Sequence, residues 1–245
     1  MLRYLTSGES HGQSLISIID GLPSNVELNF DEINAELKKR QCGYGRGGRM
    51  KIESDKVNIL GGVRGKKTLG GPVSIEVKNR DYQNWTEYMA PMDDVDFETR
   101  KVDNVRPGHA DLVGCLKYDF TDARNVLERS SARETASRVA VGAICKQVLK
   151  NFDIDFVSHV IQIGNVKDEN VYDFDYIKNN VDSSEVRCAN KDMEAKMIAQ
   201  IDEIKNERDT IGGVVEVRVK NLIPGLGSYL SLIHISEPTR PEPIS

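Results

Sequence analysis

An amphipathic helix of about five turns is written into residues 132–149, where Ala136, Val139, Ala140, Ala143, Ile144 and Leu149 recur at 3.6 residues per turn. A helix with one apolar stripe needs a surface to cover, and the rest of the chain supplies strands. Leu2 to Leu5 and Leu15 to Ile19 read as short strands, while Met50/Ile52, Val57/Ile59 and Val73/Ile75/Val77 alternate with a period of two. Asp20-Gly21-Leu22-Pro23, Gly61-Gly62 and Gly70-Gly71-Pro72 punctuate them. Phe30, Ile33 and Leu37 predict a helix over 30–41, capped by Asn29 or Asp31 and stopped at Gly43. Ile154 to Ile163 predicts a further strand, Met193 to Ile204 a further helix, and Val215, Val217 and Val219 a last strand. Residues 79–104 are polar, carry the single tryptophan, Trp85, and read as an irregular excursion. Strands and helices mixed without a regular βαβ rhythm predict α+β layering rather than a doubly wound sheet.

At 245 residues the chain is long enough for one large domain or two modest ones, and 39% hydrophobic with 29% charged residues is a globular balance. No apolar run approaches the roughly 20 residues that cross a bilayer, and the polar residues Glu9 and His11 come before any stretch of signal-peptide type. A cytoplasmic protein without a membrane partner is therefore expected. The four cysteines, Cys42, Cys115, Cys145 and Cys188, form no C-x-x-C pair and have no histidine at zinc-site spacing, so they read as reduced thiols and no metal site is expected. Cys145 falls within the helical pattern and reads as core.

The net charge of −5 is unevenly spread, with +8 between Lys38 and Lys67 and −13 elsewhere. A basic stretch in an acidic chain suits a compact anion, against the plainer reading of a solvated basic face. Within it, Arg40-Gln41-Cys42-Gly43-Tyr44-Gly45-Arg46-Gly47-Gly48-Arg49 interleaves Arg40, Arg46 and Arg49 with four glycines. Guanidinium forks bind carboxylate and phosphate, and the glycines let backbone N–H groups join them. An RGG-like nucleic-acid element is the rival reading. A regular helix and strand flank the loop and only Tyr44 is there to stack on bases, so no nucleic-acid partner is expected.

Two loops place histidine beside glycine. Gly8-Glu9-Ser10-His11-Gly12 holds an imidazole suited to proton transfer near neutral pH, although a lone loop histidine is more often a surface residue. In Arg106-Pro107-Gly108-His109-Ala110-Asp111, Arg106 and His109 could face an anion together, while Asp111 could orient the ring or cap the following helix. His159 and His234 read as structural or incidental. Arg129-Ser130-Ser131-Ala132-Arg133-Glu134 reads as a helix N-terminus favourable to an anion, with Glu134 closing a capping box on Ser131. A Walker lysine motif is absent.

Together these segments resemble the chorismate synthase family. The G-E-S-H-G loop with I-I-D-G-L-P (Gly8 to Pro23), R-Q-C-G-Y-G-R-G-G-R-M, R-P-G-H-A-D, E-R-S-S-A-R-E-T-A-S-R-V-A-V-G-A (Glu128 to Ala143) and G-L-G-S-Y (Gly225 to Tyr229) occur in family order between Met1 and about Leu230. The resemblance implies a layered β-α-β sandwich and a lyase of the shikimate pathway of aromatic amino acid biosynthesis. It implies 1,4-elimination of phosphate from 5-enolpyruvylshikimate 3-phosphate to give chorismate, with reduced FMN required, NADPH as one source of its electrons, and a homotetramer at full length. It further implies that His11 and His109 are catalytic, that Arg129, Ser130 and Ser131 lie against FMN, and that Arg40 and Arg46 meet a nucleotide. Ser10, Arg40, Arg46, Arg49, Arg106 and Arg133 are then the candidates for holding the substrate's phosphate and carboxylates.

From Leu232 to Pro241 the sequence has no counterpart in that pattern, so the expected organisation is a family domain over 1–230, incomplete at its carboxyl end, followed by an unrelated tail at 231–245. An inactive fragment exposing apolar surface is the alternative this raises.

Overall fold

The computed structural model describes residues 2–45 and 54–226. A four-stranded antiparallel sheet has the order β1-β2-β6-β3, from β1 (Arg3–Ser7), β2 (Ser14–Asp20), β3 (Val57–Gly61) and β6 (Val73–Lys78). The two short strands β4 (Val63–Arg64) and β5 (Lys67–Thr68) form a hairpin beside it. β2 and β6 are its centre, with Leu15 opposite Val77 and Ile19 opposite Val73. One face of these strands is therefore a continuous apolar row.

Helix α1 (Phe30–Gln41) lies on that row. The Asn29 side chain caps it by accepting from the N–H groups of Asp31 and Glu32, and Lys38, Lys39 and Arg40 fill its last turn, where the helix dipole favours cations. Three further short helices follow: α2 (Thr86–Met89), α3 (Asp111–Tyr118) and α4 (Arg124–Ser130). The expected amphipathic helix is α5 (Thr135–Lys150), and it packs beside α1 on the same sheet. Ala136, Ala140 and Ala143 let α5 approach closely, while Ile33, Leu37, Ile75 and Ile144 are fully buried between the layers. Each such side chain contributes about 2–3 kcal/mol of hydrophobic stabilisation. Gln147 ties α5 to the start of α1 through both polar atoms of its amide, bonding the Asn29 N–H and C=O.

A second sheet, β8-β7-β9, combines β7 (Asp155–Ile163), β8 (Val166–Lys167) and β9 (Gly213–Lys220). Helices α6 (Phe174–Asn180) and α7 (Lys191–Glu207) form small cores against it around Ile177 and Met197. The α+β expectation holds, as helix on sheet in both units. Val215 and Val217 of β9 are exposed. Among the described residues no helix is long and apolar enough to cross a membrane, and all four cysteines are free thiols. Cys145 packs against the core as expected, and burial raises its thiol pKa.

Three sequence readings change. Residues 124–130 are helical, so Arg129 and Ser130 sit at the carboxyl end of α4, and α5 begins only after a 3-10 turn at Ala132–Glu134. The capping box on Ser131 does not form: Ser131 accepts from the Arg133 N–H, while the Glu134 carboxylate takes the Thr6 hydroxyl and Arg138. The excursion at 79–104 contains a 3-10 turn (Arg80–Asn84) and α2, and Trp85 between them is buried. The strand expected around Met50 and Ile52 and the tail after 230 lie outside the described residues.

Candidate active site

The β1–β2 loop is folded back by Gly8, whose φ of +101° and closeness to Ser14 leave no room for a Cβ, which would meet the Ser14 carbonyl oxygen at 2.3 Å. This turn lays Ser10 and His11 on α4. The Ser10 N–H donates to the Glu128 carbonyl at 2.9 Å, and its hydroxyl bonds that of Ser131 at 3.0 Å. His11 Nδ1 lies 2.8 and 3.0 Å from the two carboxylate oxygens of Glu128, and the His11 backbone N–H donates to Oε2 at 2.8 Å. The Glu128 side chain is only 3% exposed and that of His11 15%. Burial pushes the Glu128 pKa up, but the bonds from His11 and the nearby Arg124 outweigh it and hold the carboxyl below its ordinary value. The imidazole stacks on Trp85 with ring centroids 3.9 Å apart. Arg100 and Arg124 lie over the same indole at 4.6 and 5.3 Å from its centroid.

Asn79, just past β6, donates to the carbonyls of Glu9 and Gly12 at 3.0 and 2.7 Å and accepts from Arg133 Nε at 2.8 Å. The histidine loop is thereby joined to a buried ionic group. Asp55 accepts from Arg133 at 2.6 Å and from Arg40 at 3.4 Å, while Arg40 also bonds Thr135 Oγ1 and the Ala132 carbonyl at the start of α5. Arg40 and Arg133 thus point inward and brace the loop, α1 and α5 against one another. Arg46 and Arg49 lie outside the described residues.

Arg129 donates to the Thr6 and Gly8 carbonyls and to Thr6 Oγ1, yet its side chain remains substantially exposed, and Ser130 beside it is exposed as well. These donors flank the Ser10–Ser131 pair. Their chemistry fits the phosphate oxygens of a flavin nucleotide.

The second histidine stands in a separate network on α3. Gly108, at φ +69°, makes the turn. Asp111 is fully buried and accepts from the Arg106 backbone N–H, from Arg106 Nε at 2.8 Å and NH2 at 3.0 Å, and from His109 Nδ1 at 2.6 Å. The Arg106 guanidinium holds this carboxyl far below the usual carboxylate range. Asp111 therefore orients the ring and does not cap α3. Arg106 NH2 is also 3.0 Å from His109 Nδ1, but an ionised Asp111 accepts only, so Nδ1 carries the hydrogen. α3 meets α4 where Gly114 faces Val126, a contact too close for any Cβ.

Sequence reasoning singled out His11, His109, Ser10 and the arginines but missed Glu128, Asp55 and Asn79 as partners. Glu128 heads a quoted motif, but nothing local in the sequence couples it to a histidine 117 positions away. His159 is buried and bonded to Glu216 at 2.8 Å, in keeping with a structural role. A cavity of about 510 Å³ is lined by Tyr172, Tyr176, Asn180 and Asn190 among others, and by neither His11 nor His109.

A family model described as chorismate synthase matches residues 2–235. The chorismate synthase of Alkaliphilus metalliredigens (strain QYMF) is 53% identical over 235 residues, covering 96% of this chain and 61% of that protein. That of Staphylococcus carnosus (strain TM300) is 52% identical over 233 residues, covering 94% and 60%. A crystal structure of chorismate synthase superposes with a TM-score of 0.73 at 39% identity, covering 94% of this chain and 61% of that one. The chain spans about 60% of the length of the curated relatives it matches. With five motifs in order and a family model over nearly all its residues, the chain belongs to the chorismate synthase family.

Proposed function

We propose that the intact protein is the lyase that eliminates phosphate from 5-enolpyruvylshikimate 3-phosphate to give chorismate. The observation that carries this reading is the pair of histidines, each bound through Nδ1 to a carboxylate and each beside arginine. A carboxylate at Nδ1 leaves Nε2 to exchange protons, which is what an elimination expelling phosphate requires. One histidine protonates the departing phosphate as the ring C–O bond breaks; the ring C–H proton lost in the same 1,4-elimination would pass to the bound cofactor, whose proton balance the other histidine holds. Reduced FMN, when bound, supplies electron density to the breaking bond and is regenerated, so the reaction is redox-neutral; NADPH is a candidate source of its electrons. Arg129, Ser130 and Ser131 are the residues of this chain that would hold the flavin phosphate. The half-exposed Arg106 would meet the substrate's anionic groups, with Arg46 and Arg49 in the same role, while Ser10, buried and bonded to Ser131, enters as a positioning group. Arg40 and Arg133, engaged by Asp55, enter as positioning groups. A cytoplasmic homotetramer follows from the same family reading.

Anaerobic assay of chorismate and phosphate release with reduced FMN tests the reading. His11→Ala and His109→Ala in the intact protein should each lower kcat by about 100-fold or more. A loss smaller than about threefold in either would remove that histidine from catalysis.

A further inference from the structure

The carboxylate beneath His11 has no assigned role, and its geometry is more specific than an anchor for the loop requires. Both Glu128 oxygens reach His11, and Oε2 does so twice: Oε1 and Oε2 lie at 2.8 and 3.0 Å from the ring Nδ1, and Oε2 accepts the backbone N–H at 2.8 Å. The loop is already fastened to α4 by the Ser10 N–H on the Glu128 carbonyl and by the Ser10–Ser131 hydroxyl pair. At 3% exposure the carboxylate meets little competition from water. Trp85 lies against the flat of the imidazole and limits its tilt.

We propose that Glu128 is a positioning residue for His11: its carboxylate accepts the Nδ1–H, fixes that tautomer, and assigns proton exchange with the ligand to Nε2. An ionised carboxylate can only accept, so hydrogen must reside on Nδ1 whenever His11 is neutral. Protonating Nε2 then places the new positive charge against a negative partner, as in other histidine–carboxylate pairs. Among the described residues, the charged groups near this pair include Arg124, 3.4 Å from Glu128 Oε1, Arg100 over Trp85, Asp81 on the indole N–H, and Glu9 of the same loop. Arg124 reaches Oε1 at the edge of hydrogen-bond range, so the His11 contacts dominate the carboxylate.

Only the kinetic arm of the test rests on the lyase reading. Imidazole nitrogen–proton correlation spectra of the histidine-labelled intact protein, with His11 assigned through His11→Asn, should place hydrogen on Nδ1 of neutral His11. Glu128→Leu, which removes the acceptor, should move the population to Nε2–H and lower kcat about 100-fold, with KM changed less than about threefold. Glu128→Gln keeps an acceptor oxygen without the charge and should restore part of the Nδ1–H population and about a tenth or more of the activity. Wild-type His11 bearing its hydrogen on Nε2 overturns the proposal whether or not the variants fold. So does a folded Glu128→Leu protein that keeps the Nδ1–H tautomer, or one that keeps kcat within about twofold of wild type. Absent lyase turnover combined with the expected tautomers would sink the proposed function and leave the positioning role standing.

Discussion

His11 and His109 are bound in the same way and supported in opposite ways. Each sits in a glycine turn and gives Nδ1 to a buried carboxylate. Glu128 directs both oxygens to His11, the ring is 15% exposed, and an indole packs on it. Asp111 is claimed chiefly by Arg106, through two guanidinium bonds and one backbone bond, and His109 is 33% exposed with its hold on the edge of that ion pair. The first histidine is thus fixed by packing contributed from distant segments, the second by a local ionic turn of six residues, Arg106 to Asp111. Packing gives orientation that survives salt; an ionic turn gives a charge pattern that depends on pH.

That contrast can be broken by substitution. Trp85→Ala should have the largest effect on stability, about 3 kcal/mol, because it empties a buried ring site under His11. Urea unfolding followed by circular dichroism measures it, and a loss below about 1 kcal/mol would show that packing is not what supports His11. Acid sensitivity should separate the two carboxylates next. Both have folded-state pKa values below their ordinary ones of 4.5 for Glu128 and 3.8 for Asp111, so each stabilises the fold above about pH 4.5 and loses that contribution as pH falls. Asp111, the more strongly lowered, should dominate: melting curves between pH 6 and about 2.5 should flatten more in Asp111→Asn than in Glu128→Gln. The reverse order would mean that the His11 pair is the more ionic one. Arg100→Ala should matter least, about 0.5–1 kcal/mol, since it removes an exposed cation from the indole face; thermal melts at low and high salt would detect it.

Much of the frame was legible in sequence. Leu15, Ile19, Val73, Ile75 and Val77 alternate because the sheet buries one face, and Ile33, Leu37 and Ile144 repeat at helical spacing because α1 and α5 cover that face. The short helices α3 and α4 were not, because each spans barely two turns and exposes apolar residues such as Val113 and Leu116. Reading Arg129 and Ser130 as a helix start failed for the same reason: α4 is too short to show a period. The basic stretch was legible as charge but not as pairing, since its Arg40 bonds Asp55 and the start of α5.

The sequence by itself determined the periodic elements, the glycine turns that carry the two histidines, and the ordered motifs that mark the family, because each is a local property of a few consecutive residues. The tertiary structure alone decided which carboxylate His11 meets and at what distance, which arginines remain exposed, and that Trp85 forms the floor under His11. Those pairings join segments up to 117 positions apart, and they arise when a bent loop docks on a helix, an event no local pattern encodes.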